Sequence, residues 1–246
     1  MPVFYDQSDF DVRFEWGLNG VNALAADCDA VVIVDVLSFT TCVDVAVARG
    51  AVIYPFHGDD TAAAERATAL GALLASRREA AAGGYTLSAQ SLLGIGRGER
   101  LVLPSPNGST LSHRAAELVT GGVIFAACLR NAGAVAIAAA AAGRRVGVIA
   151  AGERWPPDGT LRPALEDLLG AGAVIARLPG PGNRSPEAAM AAATYEWARP
   201  NVAAVVRACS SGRQLAEWGR ERDLELAGEL DVSECAPRLI DGGFRA

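Results

Sequence analysis

The sequence predicts an α/β fold: a parallel-rich sheet with helices on both faces. Three observations carry that prediction. Apolar runs of four to six residues alternate with longer Ala/Leu-rich stretches, the pattern of parallel strands joined by crossover helices. Several of those runs stop at clusters of small polar residues, as strands do where they hand over to a helix at the carboxyl edge of an open sheet. With 246 residues, 51% of them hydrophobic and 20% charged, the chain can bury a sizeable core.

Taken in order, the extended segment 10–15 is the first strand expected. Val31-Val32-Ile33-Val34 follows, ending at Asp35 and then Ser38, Thr40 and Thr41, with a helix over 41–49. A strand at 52–55 leads to a helix at 60–76. The strand at 101–103 runs into Pro104-Ser105-Pro106-Asn107-Gly108-Ser109-Thr110, which opens a helix at 108–120. Strands at 123–126 and 146–150 bracket a helix at 131–143, and the second ends at Ala151-Gly152-Glu153-Arg154. Beyond 150 the signals are almost wholly helical: 164–177, 185–199, 201–208, 211–219 and 221–230. Either a second lobe, with a division near 1–120 and 121–246, or helices wrapped over one sheet accounts for that asymmetry. The segment 77–98 reads as a long loop, of a length that closes over a site or links units. Its Gly94-x-Gly96-x-Gly98 precedes a strand instead of following one, so it is a turn and not a dinucleotide fingerprint.

Composition excludes several functions. A net charge of −6 argues against a nucleic-acid or anionic-membrane partner. All 22 basic residues are Arg, which removes P-loop, Schiff-base and lysine-base chemistry. Five scattered cysteines with no C-x-x-C pair indicate reduced thiols, neither a zinc site nor a disulfide framework. No leader pattern and no apolar run near ~18 residues is present, so a soluble, cytoplasmic protein is expected, with a homodimer one arrangement open to it.

The chemistry narrows by elimination. A haloacid-dehalogenase-type phosphatase needs a second aspartate two positions after the first, and Asp35 is followed there by Leu37. No cysteine has Arg six positions on, which disfavours thiol phosphoryl transfer, and two histidines without a G-x-S-x-G elbow give a serine triad little support. What survives is hydroxyls and backbone amides for an oxyanion, plus carboxylates for a hard cation. Asn107-Gly108-Ser109-Thr110 has the amides and hydroxyls to cradle a phosphate, or it is an ordinary helix cap. Asp35, Glu153, Glu166 and Asp167 are the carboxylates placed to reach inward. Magnesium takes only one or two such groups plus water and substrate oxygens, so they suffice, although Glu166 and Asp167 also suit a solvated first-turn pair.

At this point the residues resemble a known family. Val32-Ile33-Val34-Asp35-Val36-Leu37-Ser38-Phe39-Thr40-Thr41 is similar to the strand-end motif of the 2-phosphosulfolactate phosphatase (ComB) family. Pro106-Asn107-Gly108-Ser109 matches its Thr-Asn-Gly-Thr loop, and Leu129-Arg130-Asn131-Ala132 its Asn-Ala step. The run from Ala164 to Gly172 matches its Leu-Glu-Asp-Leu segment, and Ser211-Gly212-Arg213 followed by Asp223 its Ser-Gly-Arg helix start. The matches keep family order over roughly 30–240. The resemblance implies a ComB-like α/β unit over 1–246 with the site between two lobes, and a Mg2+-dependent phosphatase removing phosphate from 2-phosphosulfolactate in coenzyme M biosynthesis.

On that reading Asp35, Asn107 and Glu166 are the catalytic candidates. Ser38, Thr40, Thr41, Asn107, Gly108, Ser109, Thr110, Asn131 and Arg213 would bind the small phosphorylated acid, and Asp35, Glu153 and Asp167 the metal. Two departures bear on the substrate: Ser38 stands where the family carries Arg, and Arg77-Arg78-Glu79 with 85–91 replaces its Gly-Glu-Arg and Asn-Ser-Pro elements. A non-catalytic phospho-metabolite binding protein on the same scaffold is the alternative these departures leave open.

Overall fold

A computed structural model describes residues 4–76, 84–180 and 182–246. In chain order its strands are β1 (Val12–Trp16), β2 (Ala30–Val34), β3 (Val52–Phe56), β4 (Leu73–Leu74), β5 (Arg100–Pro104), β6 (Val123–Ala127), β7 (Val146–Ala150), β8 (Glu153–Arg154), β9 (Leu161–Arg162), β10 (Arg238–Ile240) and β11 (Gly243–Arg245). The helices are α1 (Gly17–Leu24), α2 (Phe39–Val47), α3 (Asp60–Leu70), α4 (Gly108–Leu118), α5 (Ala132–Ala142), α6 (Leu165–Arg177), α7 (Pro186–Ala198), α8 (Val202–Ala208), α9 (Ser210–Glu217) and α10 (Glu221–Gly228).

One sheet gathers nine of the strands in the order β1-β7-β2-β6-β10-β11-β3-β5-β4. The mixed α/β architecture with a mostly parallel sheet is the one the alternating pattern predicts. Central strand β2 is buried along its whole length, and its two faces serve different helices. Val32 and Val34 pack with Val148, Leu169 and Val174 under α5, α6 and α7. Val31 and Ile33 pack with Leu24, Leu111 and Ile149 under α1 and α4. Helices α6 and α7 lie so close that a methyl group on Gly172 would come within 2.1 Å of the Ala191 carbonyl oxygen.

The C-terminal hundred residues are not wholly helical, contrary to the sequence expectation. The hairpin β10–β11 sits mid-sheet and turns on Asp241-Gly242, both in the left-handed region (φ 50° and 74°). Asp-Gly between short apolar runs is the signature of such a two-residue hairpin, but three-residue strands are too short to register as period-two alternation. Because β10 is antiparallel to β6 and β11 is antiparallel to β3, the strands β3, β5 and β4 run opposite to β1, β7, β2 and β6. A single residue pair joins the hairpin to each neighbour, Arg238 with Phe125 and Phe244 with Ile53, which leaves the sheet free to fold there. The carboxyl ends of β2 and β5 consequently meet despite their opposed directions.

Three further differences have local causes. The helix expected over 60–76 stops at Leu70 because Gly71 takes the left-handed conformation (φ 58°) and caps it, after which the chain enters edge strand β4. Helix α1 carries only eight residues and no side-chain cap, so its signal is faint in the sequence. Within 77–98, the described part is no lid: Ala89, Leu92 and Ile95 are buried in the core around Phe39, and Ser88 Oγ donates to Asp223 Oδ1 on α10 at 2.8 Å. Arg77, Arg78 and Glu79 lie outside the described residues.

Phe244, wholly buried, stands edge-on to Phe39 with ring centroids 6.2 Å apart and so ties the hairpin to the first turn of α2. Phe244→Ala is expected to destabilise the fold by roughly 3–5 kcal/mol, the range for truncating a buried aromatic. Denaturant unfolding checks it; a loss under 1 kcal/mol would mean that the hairpin is not part of the core.

Candidate functional site

The site grows from the turn after β2. Asp35 points its carboxylate at two helix starts at once: Phe39 N–H of α2 donates to Oδ1 at 3.2 Å, and Gly108 N–H of α4 donates to Oδ2 at 2.8 Å. Only glycine fits at 108, since a Cβ there would lie 2.3 Å from the Phe39 ring and 2.8 Å from Asp35 Oδ2. Thr40 Oγ1 donates to the Asp35 carbonyl (2.7 Å) and accepts from its N–H (3.0 Å), while Thr41 Oγ1 donates to the Val36 carbonyl (2.7 Å). Both threonines, which the sequence offers as substrate contacts, are buried and shape the turn through these bonds. Ser38 is half-buried and makes no capping bond to α2.

Residues Glu166 and Asp167 are not a solvated pair: they are 2% and 3% exposed in the first turn of α6. Asp167 holds two loops together, accepting from Val36 N–H after β2 and Gly152 N–H after β7, each at 2.8 Å. Glu166 Oε2 accepts from the Cys209 thiol at 3.1 Å, and that sulfur accepts from Gly212 N–H at the start of α9. Glu153 follows β7 and is only half-buried; its Oε2 accepts from Asn107 Nδ2 at 3.1 Å. Asn107 therefore faces a carboxylate and does not cap α4.

The proposed phosphate cradle at 107–110 is partly spent elsewhere. The Gly108 amide goes to Asp35, Ser109 Oγ donates to the Leu103 carbonyl, and Thr110 Oγ1 donates to the Pro106 carbonyl beside His57. Asn131 is likewise committed: Oδ1 accepts from Cys128 N–H, and Nδ2 donates to the carbonyls of Ala126 and Cys235. It holds the turn after β6 and offers no polar atom to a ligand.

Four carboxylates thus share one region, and three of them, Asp35, Glu153 and Asp167, resist ionising there. Burial pushes Asp35 up to about 6, opposed by its two amide donors and helped by Glu166. Glu153 rises to about 7 through burial, then Asp35 and Glu166, with Arg162 and Asn107 pulling the other way. Asp167 is raised well above the carboxylate range by burial and by the charges of Asp35 and Glu166. This donor set suits a hard cation. Among the described residues no group of three or more His, Cys, Asp or Glu side chains is arranged to hold a metal ion, so a cation here would draw most of its sphere from water and substrate oxygens.

Two cavities open beside the carboxylates and adjoin at Arg154. The smaller, about 260 Å³, is lined by Asn107, Thr110, Glu153 and Arg154, with Trp16 and Leu161. The larger, about 880 Å³, is lined by Arg154, Trp155, Arg162, Arg213 and Glu217, among others. Arg154 and Arg162 belong to the β8–β9 hairpin, whose turn contains Pro157-Asp158-Gly159 with Gly159 at φ 67°. Its Leu161 seats against Gly17 and Gly152, where a Cβ would lie 3.3 and 2.6 Å away. Sequence reasoning missed Arg162, although Pro-Asp-Gly is a turn signal with a mechanism and marks the hairpin that carries it.

A family profile described as 2-phosphosulpholactate phosphatase matches residues 21–242. The chain belongs to the 2-phosphosulfolactate phosphatase family. It is also 30% identical over 225 residues to a protein of Deinococcus radiodurans named a probable 2-phosphosulfolactate phosphatase, covering 87% of this chain and 89% of that one. Membership in this family makes the chain a phosphoric monoester hydrolase. No helix among the described residues is long and apolar enough to cross a membrane.

The raised carboxylates have a thermodynamic consequence. Asp35 and Glu153 bind a proton more tightly in the folded than in the unfolded chain, so their contribution favours the fold fully below the ordinary carboxylate range and is lost as pH rises through about 6 and 7. Glu166→Gln removes one of the repelling charges yet keeps an oxygen for the Cys209 thiol. It is expected to raise the stability of the cation-free protein at pH 8 by about 1–2 kcal/mol and to change it little at pH 4. Chelator-treated thermal melts at both pH values are the measurement, and an unaltered midpoint at pH 8 would show that the carboxylates do not repel.

Proposed function

We propose that the chain is a magnesium-dependent phosphatase that hydrolyses 2-phosphosulfolactate, or a related 2-phospho acid, to the 2-hydroxy acid and inorganic phosphate. The observation that carries this reading is the convergence of Asp35, Glu153, Glu166 and Asp167, four carboxylates of which Glu153 opens on a cavity that adjoins an arginine-lined cleft. Such an arrangement is costly in a fold and is relieved by a bound cation together with an anionic substrate.

Asp35, Glu166 and Asp167 are the groups that would hold magnesium, directly or through water, leaving Glu153 free of the cation. The ion would neutralise phosphoryl charge and polarise the phosphorus–oxygen bonds. Asp167, like Asp35, accepts one backbone amide on each oxygen and keeps a lone pair on each for a cation; it also positions the loops that present Asp35 and Glu153. Asn107 orients Glu153, and Glu153, held near 7, changes protonation state in the range where the enzyme would work. Hydrolysis needs a proton taken from the attacking water and one delivered to the leaving alkoxide. Glu153, opening on the smaller cavity, is the group we assign to that transfer.

Phosphate release from 2-phosphosulfolactate and other phosphorylated hydroxy acids, with magnesium and with a chelator, tests the reading. Turnover that requires magnesium is expected; equal rates in chelator would sink the metal assignment. Glu153→Gln should lower kcat by about 10²–10⁴-fold, the usual size of a general acid–base contribution, and flatten the pH dependence near 7. A variant with wild-type kcat and an unshifted profile would move the proton transfer elsewhere.

A further inference from the structure

The larger cleft contains more positive charge than the reacting phosphoryl group explains. Arg154, Arg162 and Arg213 all line it, and Glu217 is the one carboxylate in its lining. None of the three arginines forms an ion pair with a carboxylate among the described residues, whereas Arg13, Arg114, Arg130, Arg144, Arg145 and Arg177 do. Three like charges in one cleft repel one another, so a structural role would disperse or pair them.

One of them is already arranged for a ligand. Arg162 donates from one terminal nitrogen to Ser211 Oγ at 3.1 Å, and its guanidinium lies 5.8 Å from the centre of the Trp155 ring. Held at one corner and against an aromatic face, the planar fork keeps further N–H groups for an oxyanion and loses little freedom on binding it. Ser211 belongs to the first turn of α9, and Arg213 projects from the same turn into the same cleft. The smaller cavity, with Asn107 and Glu153, shares Arg154 with this cleft, and Glu153 stands opposite Arg162 in the β8–β9 hairpin.

Resting on the phosphatase reading above, we infer that Arg162 and Arg213 hold a second anion of the substrate, a sulfonate or carboxylate that takes no part in the reaction, while the phosphoryl group lies in the smaller cavity lined by Asn107 and Glu153. Arg213, which the sequence offers as a contact to the phosphorylated acid, is thereby assigned to its non-reacting end. Arg162 is a specificity-determining residue: it selects phosphorylated acids with an additional anionic group. It also supplies, from a hairpin remote in sequence, a cation of the kind the family carries at the position of Ser38.

The test separates this inference from the reaction itself. Calorimetric titration measures binding of sulfolactate, which lacks phosphate, and of inorganic phosphate to wild type, Arg162→Met and Arg162→Lys. Wild type is expected to bind sulfolactate, Arg162→Met to bind it ten- to a hundred-fold more weakly, as loss of a charge-assisted contact implies, and Arg162→Lys to fall between. Phosphate affinity should change less than three-fold in both variants, which also shows that they are folded. No sulfolactate binding by wild type, an unchanged affinity in Arg162→Met, or an equal loss for phosphate would each overturn the inference. Failure of wild type to release phosphate from 2-phosphosulfolactate, with this binding pattern intact, would instead overturn the proposed reaction.

Discussion

The Asp35 carboxylate is the contact on which the rest of the site depends. It accepts the first amide of α2 and the first amide of α4, and so closes the gap between two parallel strand sets that run in opposite directions. A helix start leaves amide donors without partners, and a carboxylate is the acceptor best suited to them. Each such charge-assisted bond is worth roughly 1.5–3 kcal/mol. Against these bonds stands burial, which outweighs them and leaves Asp35 raised to about 6, so the group is reluctant to ionise even with both amides in place.

Asp167 repeats the device between the loops after β2 and β7. Two aspartates therefore knit the ends of three strands by accepting backbone amides, and in doing so they place negative charge beside Glu153 and Glu166. The chemistry follows from the architecture: a fold joined by buried carboxylates at strand ends gathers acid groups with raised proton affinity where a phosphorylated substrate can enter. Stability at neutral pH is surrendered for that poise, a common trade at active sites.

Two hairpins complete the arrangement, and both turn on Asp-Gly. β10–β11 enters mid-sheet and reverses the direction of everything beyond it, while β8–β9 leans its Leu161 on Gly17 and Gly152 and carries Arg154 and Arg162 to the cleft. Their strands are two or three residues long. At that length side-chain alternation conveys almost nothing, and placement rests on what the rest of the chain leaves to be paired. The turn signals were on view in the sequence; the destinations of the hairpins were not.

By itself the sequence determined the α/β class, the six long strands, most helix positions within a few residues and the family, and it marked Asp35, Asn107, Glu153, Glu166 and Asp167 as polar candidates. These are local properties: apolar runs, caps and short motifs act over a few residues and can be read there. Only the tertiary structure decided which polar atoms are free. Thr40, Thr41, Ser109 and Asn131 resemble ligand contacts in the sequence, yet backbone carbonyls and amides, from their own turns in most cases and from Cys235 in one, take their hydrogen bonds. Conversely Arg162, inconspicuous in the chain, gains its place from Ser211 and Trp155. Whether a side chain binds substrate or its own fold depends on which partner reaches it first, and contacts between distant segments, such as Asp35 with Gly108, settle that only when the chain is assembled.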